Sequence, residues 1–315
     1  MDFRIFISLV QHYSCKYMIS IVIASVKSDL LIDIKKNIEK TIGTDFEILS
    51  FENSGGKKSL CEIYNIAAKE AKYNLICYMH EDIEIKTEDW GKKVIDLFSM
   101  NPNIGIAGVA GSSYKSFAPS SWGSESSEEH LIFRNYLQQF KHSNKPPIHV
   151  YSNPNNSSFE KVVTVDGMWF CTTKEVVGKT GFDEDMLKGF HCYDLDFCLN
   201  VGRFYDVVVT FDILLEHFSE GGYNRDWLYD TLKLHKKWEN SLPRSVAKIS
   251  EKHKDLIEKR AYKRILSKLV ELKFDEEYIL RFLKEYKKKS NMEIGSYLKL
   301  RYYYIKFKYL GKKIE

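Results

Sequence analysis

The sequence predicts an α/β fold: a mostly parallel, Rossmann-like sheet flanked by helices, followed by a C-terminal helical appendage. Three observations carry this. Over residues 19–111, short β-branched runs alternate with segments whose apolar residues recur every three or four positions. Apolar residues make up 44% of the 315-residue chain, enough for a sizeable core, while 29% charged and 14% aromatic residues exclude disorder. Beyond Tyr223 the strand runs cease and helical stripes take over.

ISIVIAS (19–25) suits a buried parallel strand, and the helix after it places Leu31, Ile34, Ile38 and Ile42 on one face. FEILSF (46–51) reads as the second strand. After the turn ENSGGKKS, Leu60, Ile63, Tyr64, Ala67 and Ala71 line a second helix. YNLICYM (73–79) is the third strand. Thr87 is expected to cap the next helix, with Glu88 and Asp89 in its first turn and Trp90, Val94, Leu97 and Phe98 inward. IGIAGVAG (104–111) is the fourth strand. Such alternation implies right-handed crossovers and helices on both faces of the sheet.

From 112 to about 160, Ser, Asn, Pro and Gly prevail, and a mobile segment beside the site is expected. Order returns with KVVTVDGMWFCTT, the acidic segment FDEDMLKGFHCYDLDFCLNVGR and the strand DVVVTFDILLEHF. Further on, Leu256, Ala261, Ile265, Leu269 and Leu272 form one helical stripe.

The expected organisation is an extension over 1–17, an α/β domain over 18–240 and a basic helical region over 241–315. Gln11, His12 and Lys16 interrupt the apolar N-terminus, so a signal peptide is not expected, and no run reaches the ~18 apolar residues of a membrane span. Six cysteines without CxxC pairs are expected to be reduced core thiols of a cytoplasmic protein. The formal charge of +4 is uneven: residues 251–315 carry +9 and the first 250 carry −5. Tyr and Phe interleave with Lys and Arg in LKLRYYYIKFKYLGKK, a pattern suited either to an anionic membrane surface or to packing on the domain or on another subunit. A nucleic-acid partner is not expected, because no nucleic-acid motif accompanies the pattern.

In YNLICYMHEDIEI an apolar run empties into His80, Glu81 and Asp82. In an open parallel sheet ligands sit beyond the carboxyl ends of the strands. Two acids there either hold a divalent cation, Mn²⁺ or Mg²⁺, or close a solvated turn.

The order ISIVIAS, EILSFENSGG, SLCEIYNIAAKEAKYNLICYMHEDIEI and YDLDFCLNVGRF resembles the family 2 type glycosyltransferases of the GT-A fold, in particular a bacterial branch whose acidic motif is preceded by His. The resemblance covers residues 18–222. It implies a metal-dependent, inverting transfer from a nucleotide diphosphate sugar, a UDP-sugar first among donors. The acceptor would be a glycan, glycolipid or glycoprotein in surface polysaccharide or glycoconjugate assembly, at the inner face of the membrane. By the same resemblance Asp82 is the metal contact, Glu81 a ribose or metal-water contact, and Asp194 the catalytic base. Ala24, Ser25, Glu52 and Asn53 would line the nucleotide base pocket, His217 would complete the metal shell, and Asp166, Trp169 and Asp196 would face donor or acceptor. Lys57 and Lys58 are either diphosphate contacts or a solvated turn.

Three departures stand out: Asn53 and Glu81 each occupy a place where relatives carry Asp, and Tyr193 replaces a Glu before the base. They leave room for a sugar-nucleotide-binding protein without catalysis. A nucleotidyltransferase would share the layout, but would need a glycine-rich loop where this chain has ASVKSD.

Overall fold

The computed structural model describes residues 18–124, 129–140, 146–219, 221–289 and 294–310. Cys15 and the 1–17 extension lie outside them.

The first half follows the expected alternation: β1 (Ile19–Ser25), α1 (Ser28–Thr41), β2 (Phe46–Glu52), α2 (Leu60–Glu70), β3 (Leu75–Met79), β4 (Ile83–Ile85) and α3 (Trp90–Met100). Then come β5 (Ile104–Gly108), β6 (Ala110–Ser112), β7 (Tyr114–Lys115), β8 (Ile132–Gln138), β9 (Ile148–Ser152), β10 (Phe159–Val162), β11 (Thr164–Val165) and β12 (Trp169–Thr173). The domain continues with α4 (Lys174–Thr180), α5 (Tyr193–Val201), β13 (Asp206–Thr210), β14 (Leu215–His217), α6 (Arg225–Lys237) and β15 (Arg244–Ser245). Three helices follow: α7 (Glu251–Glu271), α8 (Glu276–Lys289) and α9 (Ile294–Leu310).

Seven strands form the main sheet in the order β10–β13–β5–β12–β3–β1–β2. β1 lies parallel to β2 and β3, and β13 parallel to β5, while β12 runs antiparallel between β3 and β5. Every residue of β3 and β5 is buried, which is why these strands read as continuous apolar runs and not as alternations. The predicted helix faces are the buried ones: Ile34 and Ile38 of α1, and Leu60, Ile63, Tyr64 and Ala67 of α2.

Three expectations are corrected. The run 104–111 is two strands, because the chain leaves the main sheet at Val109, whose carbonyl accepts from Asn135 N–H, and β6 joins a second sheet. The segment 112–160, expected as a mobile active-site or insert region, contributes ordered strands: β8 and β9 build that second sheet, in the order β11–β6–β8–β14–β4 with β9 on β8. Thr87 does not cap α3; its hydroxyl accepts from Leu214 N–H at 2.8 Å, and α3 begins after Asp89, which sits at φ 55°.

The C-terminal helices close a cluster of their own. On α7, Ile257, not Leu256, turns inward, toward Tyr114 and Leu131 of the domain, while Ala261, Ile265 and Leu269 belong to the helical cluster. Leu283 of α8 and Leu300, Tyr304 and Phe307 of α9 complete it, together with Trp227 and Leu228 of α6. Glu258 fastens α7 to the domain, accepting from the Tyr114 hydroxyl at 2.7 Å and from the N–H groups of Phe117 and Ala118.

Candidate active site

A cavity of about 570 Å³ opens beyond the carboxyl ends of β1 and β3. Ala24, His80, Glu81, Asp82, Asp166, Asp194 and His217 all line it. Residues scattered over some 190 positions meet there because of strand pairing. His80 and Asp82 sit two residues apart in the short bend between β3 and β4, and both line the cavity. β14 then pairs antiparallel with β4, setting His217 opposite Ile83 and beside Asp82.

The result is a three-donor cluster. His80 Nδ1 and His217 Nε2 each lie 3.8 Å from Asp82 Oδ1, and one ligand atom from each residue falls within 4.8 Å of the others. Burial pushes the Asp82 carboxyl up, but His80, the Ser219 hydroxyl and His217 outweigh it and hold Asp82 below the usual carboxylate range. Burial pushes His217 down, toward the neutral form that a metal needs. The other nitrogen of His80 is also fixed. Its Nε2 lies 2.9 Å from the Tyr193 hydroxyl, whose oxygen is 3.1 Å from the carbonyl of Gly167. That carbonyl can only accept, so the hydroxyl gives it its proton and accepts from His80 Nε2–H, which leaves Nδ1, on the Asp82 side, as the nitrogen able to hold a cation. Two imidazoles and one carboxylate are a donor set that could hold a divalent first-row cation.

Gly167 makes this arrangement possible. A Cβ there would come within 2.2 Å of the Tyr193 hydroxyl and 3.2 Å of Asp194 Cβ.

Asp194 faces the same cavity from the first turn of α5. It is not a cap: that place belongs to Cys192, at φ 64° and without a side-chain capping bond. Burial and the neighbouring Asp166 push the Asp194 carboxyl up to about 7, against the pull of backbone N–H groups of Leu195 and Gly167. Asp166 is itself held by Met168 N–H at 2.9 Å.

Other expected site residues have other work. Glu81 is 8% exposed and its carboxylate is saturated: Ser25 Oγ donates to it at 2.5 Å, and Val26 and Lys27 N–H groups donate at 3.1–3.3 Å. It ties the loop after β1 and is spoken for as a ribose or metal-water contact. Ser25 turns toward Glu81, while Ala24 does line the cavity. Asn53 closes the SGGKK turn, bonding both the carbonyl and the N–H of Lys58, and Glu52 is an exposed partner of Ser54. Neither lines the cavity. Lys58 pairs with Glu62 at 2.6 Å on the surface.

Trp169 is fully buried in β12, edge-on to Trp90, so its ring meets core and not sugar. Asp196 is also turned away. It is 2% exposed and pairs with Lys237 at 2.7 Å and Trp238 Nε1 at 2.7 Å, joining α5 to α6. Asp194 and Asp196 are two apart on one helix, and therefore face different ways.

The sequence reading left out His80 as a ligand and Tyr193 as its partner. The i, i+2 spacing of His80 and Asp82 at a strand end was the available signal for the first. Tyr193 had none, because its bond to His80 spans 113 positions.

This fold belongs to the GT-A class of glycosyltransferases. Over 93% of the chain it superposes on 58% of "Crystal structure of GalNAc-T7 with UDP, GalNAc and Mn2+", with a TM-score of 0.50 and 12% identity. A second structure, "Crystal Structure of A197 from STIV", matches 64% of the chain and 86% of its own length, with a TM-score of 0.36 and 14% identity. No curated protein matches. The chain belongs to the glycosyltransferase-like family, whose model matches residues 18–238.

Proposed function

We propose that the protein is a metal-dependent, inverting glycosyltransferase that moves a sugar from a nucleotide diphosphate sugar, a UDP-sugar first, to a glycan, glycolipid or glycoprotein acceptor. One observation carries this reading: a single cavity holds both a cation-binding cluster, His80, Asp82 and His217, and a carboxyl, Asp194, held near pH 7. Mn²⁺ bound there would supply Lewis-acid stabilisation of the departing diphosphate. Asp194 accepts the proton of the acceptor hydroxyl as the new bond forms, a task that suits a base whose pKa lies near the working pH. Attack assisted by a base across the sugar from the diphosphate inverts the anomeric carbon. Tyr193 holds His80 in one tautomer, and Asp166 raises the basicity of Asp194.

The neighbour of known structure holds UDP, GalNAc and Mn²⁺, which supports a UDP-sugar and Mn²⁺ as the first pair to test. This chain spans 58% of that protein's length. A surface-polysaccharide role in bacteria rests on the form of the His-x-Asp motif, and a cytoplasmic location on the five buried free thiols.

A nucleotidyltransferase is disfavoured by Glu81: the N–H groups of Val26 and Lys27, which such a loop would turn toward phosphates, are already bonded to its carboxylate. A binding protein without turnover is disfavoured by Asp194, which a mere binding site has no need to keep half-buried and proton-accepting. The test is calorimetry of UDP, GDP, CMP and dTDP, each with and without Mn²⁺, followed by donor turnover. Mn²⁺-dependent binding of one nucleotide supports the reading, and binding of none removes it.

A further inference from the structure

The outer face of α9 has the chemistry of a membrane-binding surface. Ile294, Leu298, Tyr302, Ile305 and Tyr309 are each more than half exposed. At 3.6 residues per turn they fall within an arc of about 80°. The inner face is separately accounted for: Leu300, Tyr304 and Phe307 are buried against α7 and α8. The helix is therefore apolar on two opposite sides, and among the described residues only one of them has a partner. A surface helix that needed only to pack would carry polar residues on its outer stripe.

The flanks of that stripe are cationic. Lys299 and Lys306 border one edge, Arg301 and Lys308 the other, and α9 has no acidic residue. Lys263 of α7 lies over the Tyr303 ring and Lys287 of α8 over Tyr297, adding positive charge along the seams with the neighbouring helices. Lys308 is paired with Glu276, so among the described residues the unshared cations are chiefly those at 299, 301 and 306. Two copies meeting stripe to stripe would bring these like charges together, which disfavours a homodimer here. An anionic bilayer satisfies both features, taking the apolar stripe into the headgroup boundary and the flanking cations at its surface. Among the described residues no helix is long and apolar enough to cross a membrane.

We propose that α9 lies flat on an anionic phospholipid bilayer, inserting Leu298, Tyr302 and Ile305, with Lys299, Arg301 and Lys306 on phosphate groups. This does not depend on the sugar-transfer reading. The test is co-sedimentation of the full chain with vesicles of phosphatidylcholine alone and of equimolar phosphatidylcholine and phosphatidylglycerol. Two variants accompany it: Leu298→Ser with Tyr302→Ser and Ile305→Ser, and Lys299→Gln with Lys306→Gln. Binding is expected only to the anionic vesicles, weakening with added salt. The lysine variant should bind about thirtyfold more weakly, and the stripe variant more weakly still. All substituted side chains face outward, and circular-dichroism melting confirms folding of each. Absence of binding to anionic vesicles overturns the proposal, as does equal binding of wild type and the lysine variant. Light scattering that shows a dimer which the stripe variant dissociates, with no vesicle binding, would assign the stripe to a second copy instead.

Discussion

The Tyr193 hydroxyl stands 2.9 Å from His80 Nε2 and 3.1 Å from the Gly167 carbonyl oxygen. A buried phenol thus links a backbone carbonyl to an imidazole that faces Asp82. Outer-shell partners of this kind orient a metal ligand and raise its basicity. Tyr193→Phe removes only the oxygen. It should weaken Mn²⁺ binding by about tenfold to a hundredfold while leaving the fold in place. Mn²⁺ calorimetry on the folded variant checks this, and unchanged affinity would show that His80 needs no such support.

The cluster itself makes a harder demand. Asp82→Ala removes the only carboxylate among the three donors and leaves His80 and His217 near one another. Nucleotide affinity in the presence of Mn²⁺ should fall to the level measured with a chelator, whereas the metal-free affinity stays put. A variant that keeps its Mn²⁺ response would place the cation elsewhere.

For Asp194 the pH dependence has a definite sign. A base held at about 7 is a carboxylate only above that pH, so kcat/KM should fall roughly tenfold per unit below it and level off above. Asp194→Asn should lower turnover by about 10²-fold or more and still bind nucleotide. The same shift bears on stability. The folded state keeps the Asp194 proton up to about 7 while the unfolded chain releases it near 3.8, so stability falls as pH rises between these values. Asp194→Asn should therefore be more stable than wild type at pH 8, by roughly 1–3 kcal/mol in urea denaturation, with the gap closing toward pH 4. A variant with normal turnover, or one less stable at pH 8, would contradict both parts.

How far the sequence revealed this site depends on the range of the interactions involved. Strands and helix faces such as Ile19–Ser25 or Leu60–Glu70 were legible because periodicity is local. So was the acidic end of β3, since its place in the fold follows from the order of elements. The split of 104–111 between two sheets was not, because it turns on the bond from Asn135 to Val109. Nor were the fates of Glu81 and Asp196: a buried carboxylate and a binding carboxylate have the same letter, and only partners 41 to 56 positions away distinguish them. His217 could be tied to Asp82 by resemblance, yet the cause, pairing of β14 with β4, is a long-range fact.

Asp196 gives the last prediction, and it separates structure from catalysis two residues from the proposed base. Its carboxylate is buried between Lys237 of α6 and the Trp238 indole, and Lys237 also reaches Asp183 at 2.8 Å. Burial pushes Asp196 up, although Lys237 and Trp238 draw it back. Burial likewise works against the Lys237 charge, but Asp183 and Asp196 raise it overall. Removing one partner of such a pair strands the other charge in a low-dielectric site, at a cost of about 3–5 kcal/mol when burial is complete. Lys237 is partly exposed and keeps Asp183, so Asp196→Ala should cost less, roughly 2–3 kcal/mol. Urea denaturation measures that loss. Turnover per folded molecule should change little, because Asp196 lies outside the cavity that Asp194 lines. A variant with full stability and lost turnover would instead return Asp196 to the substrate.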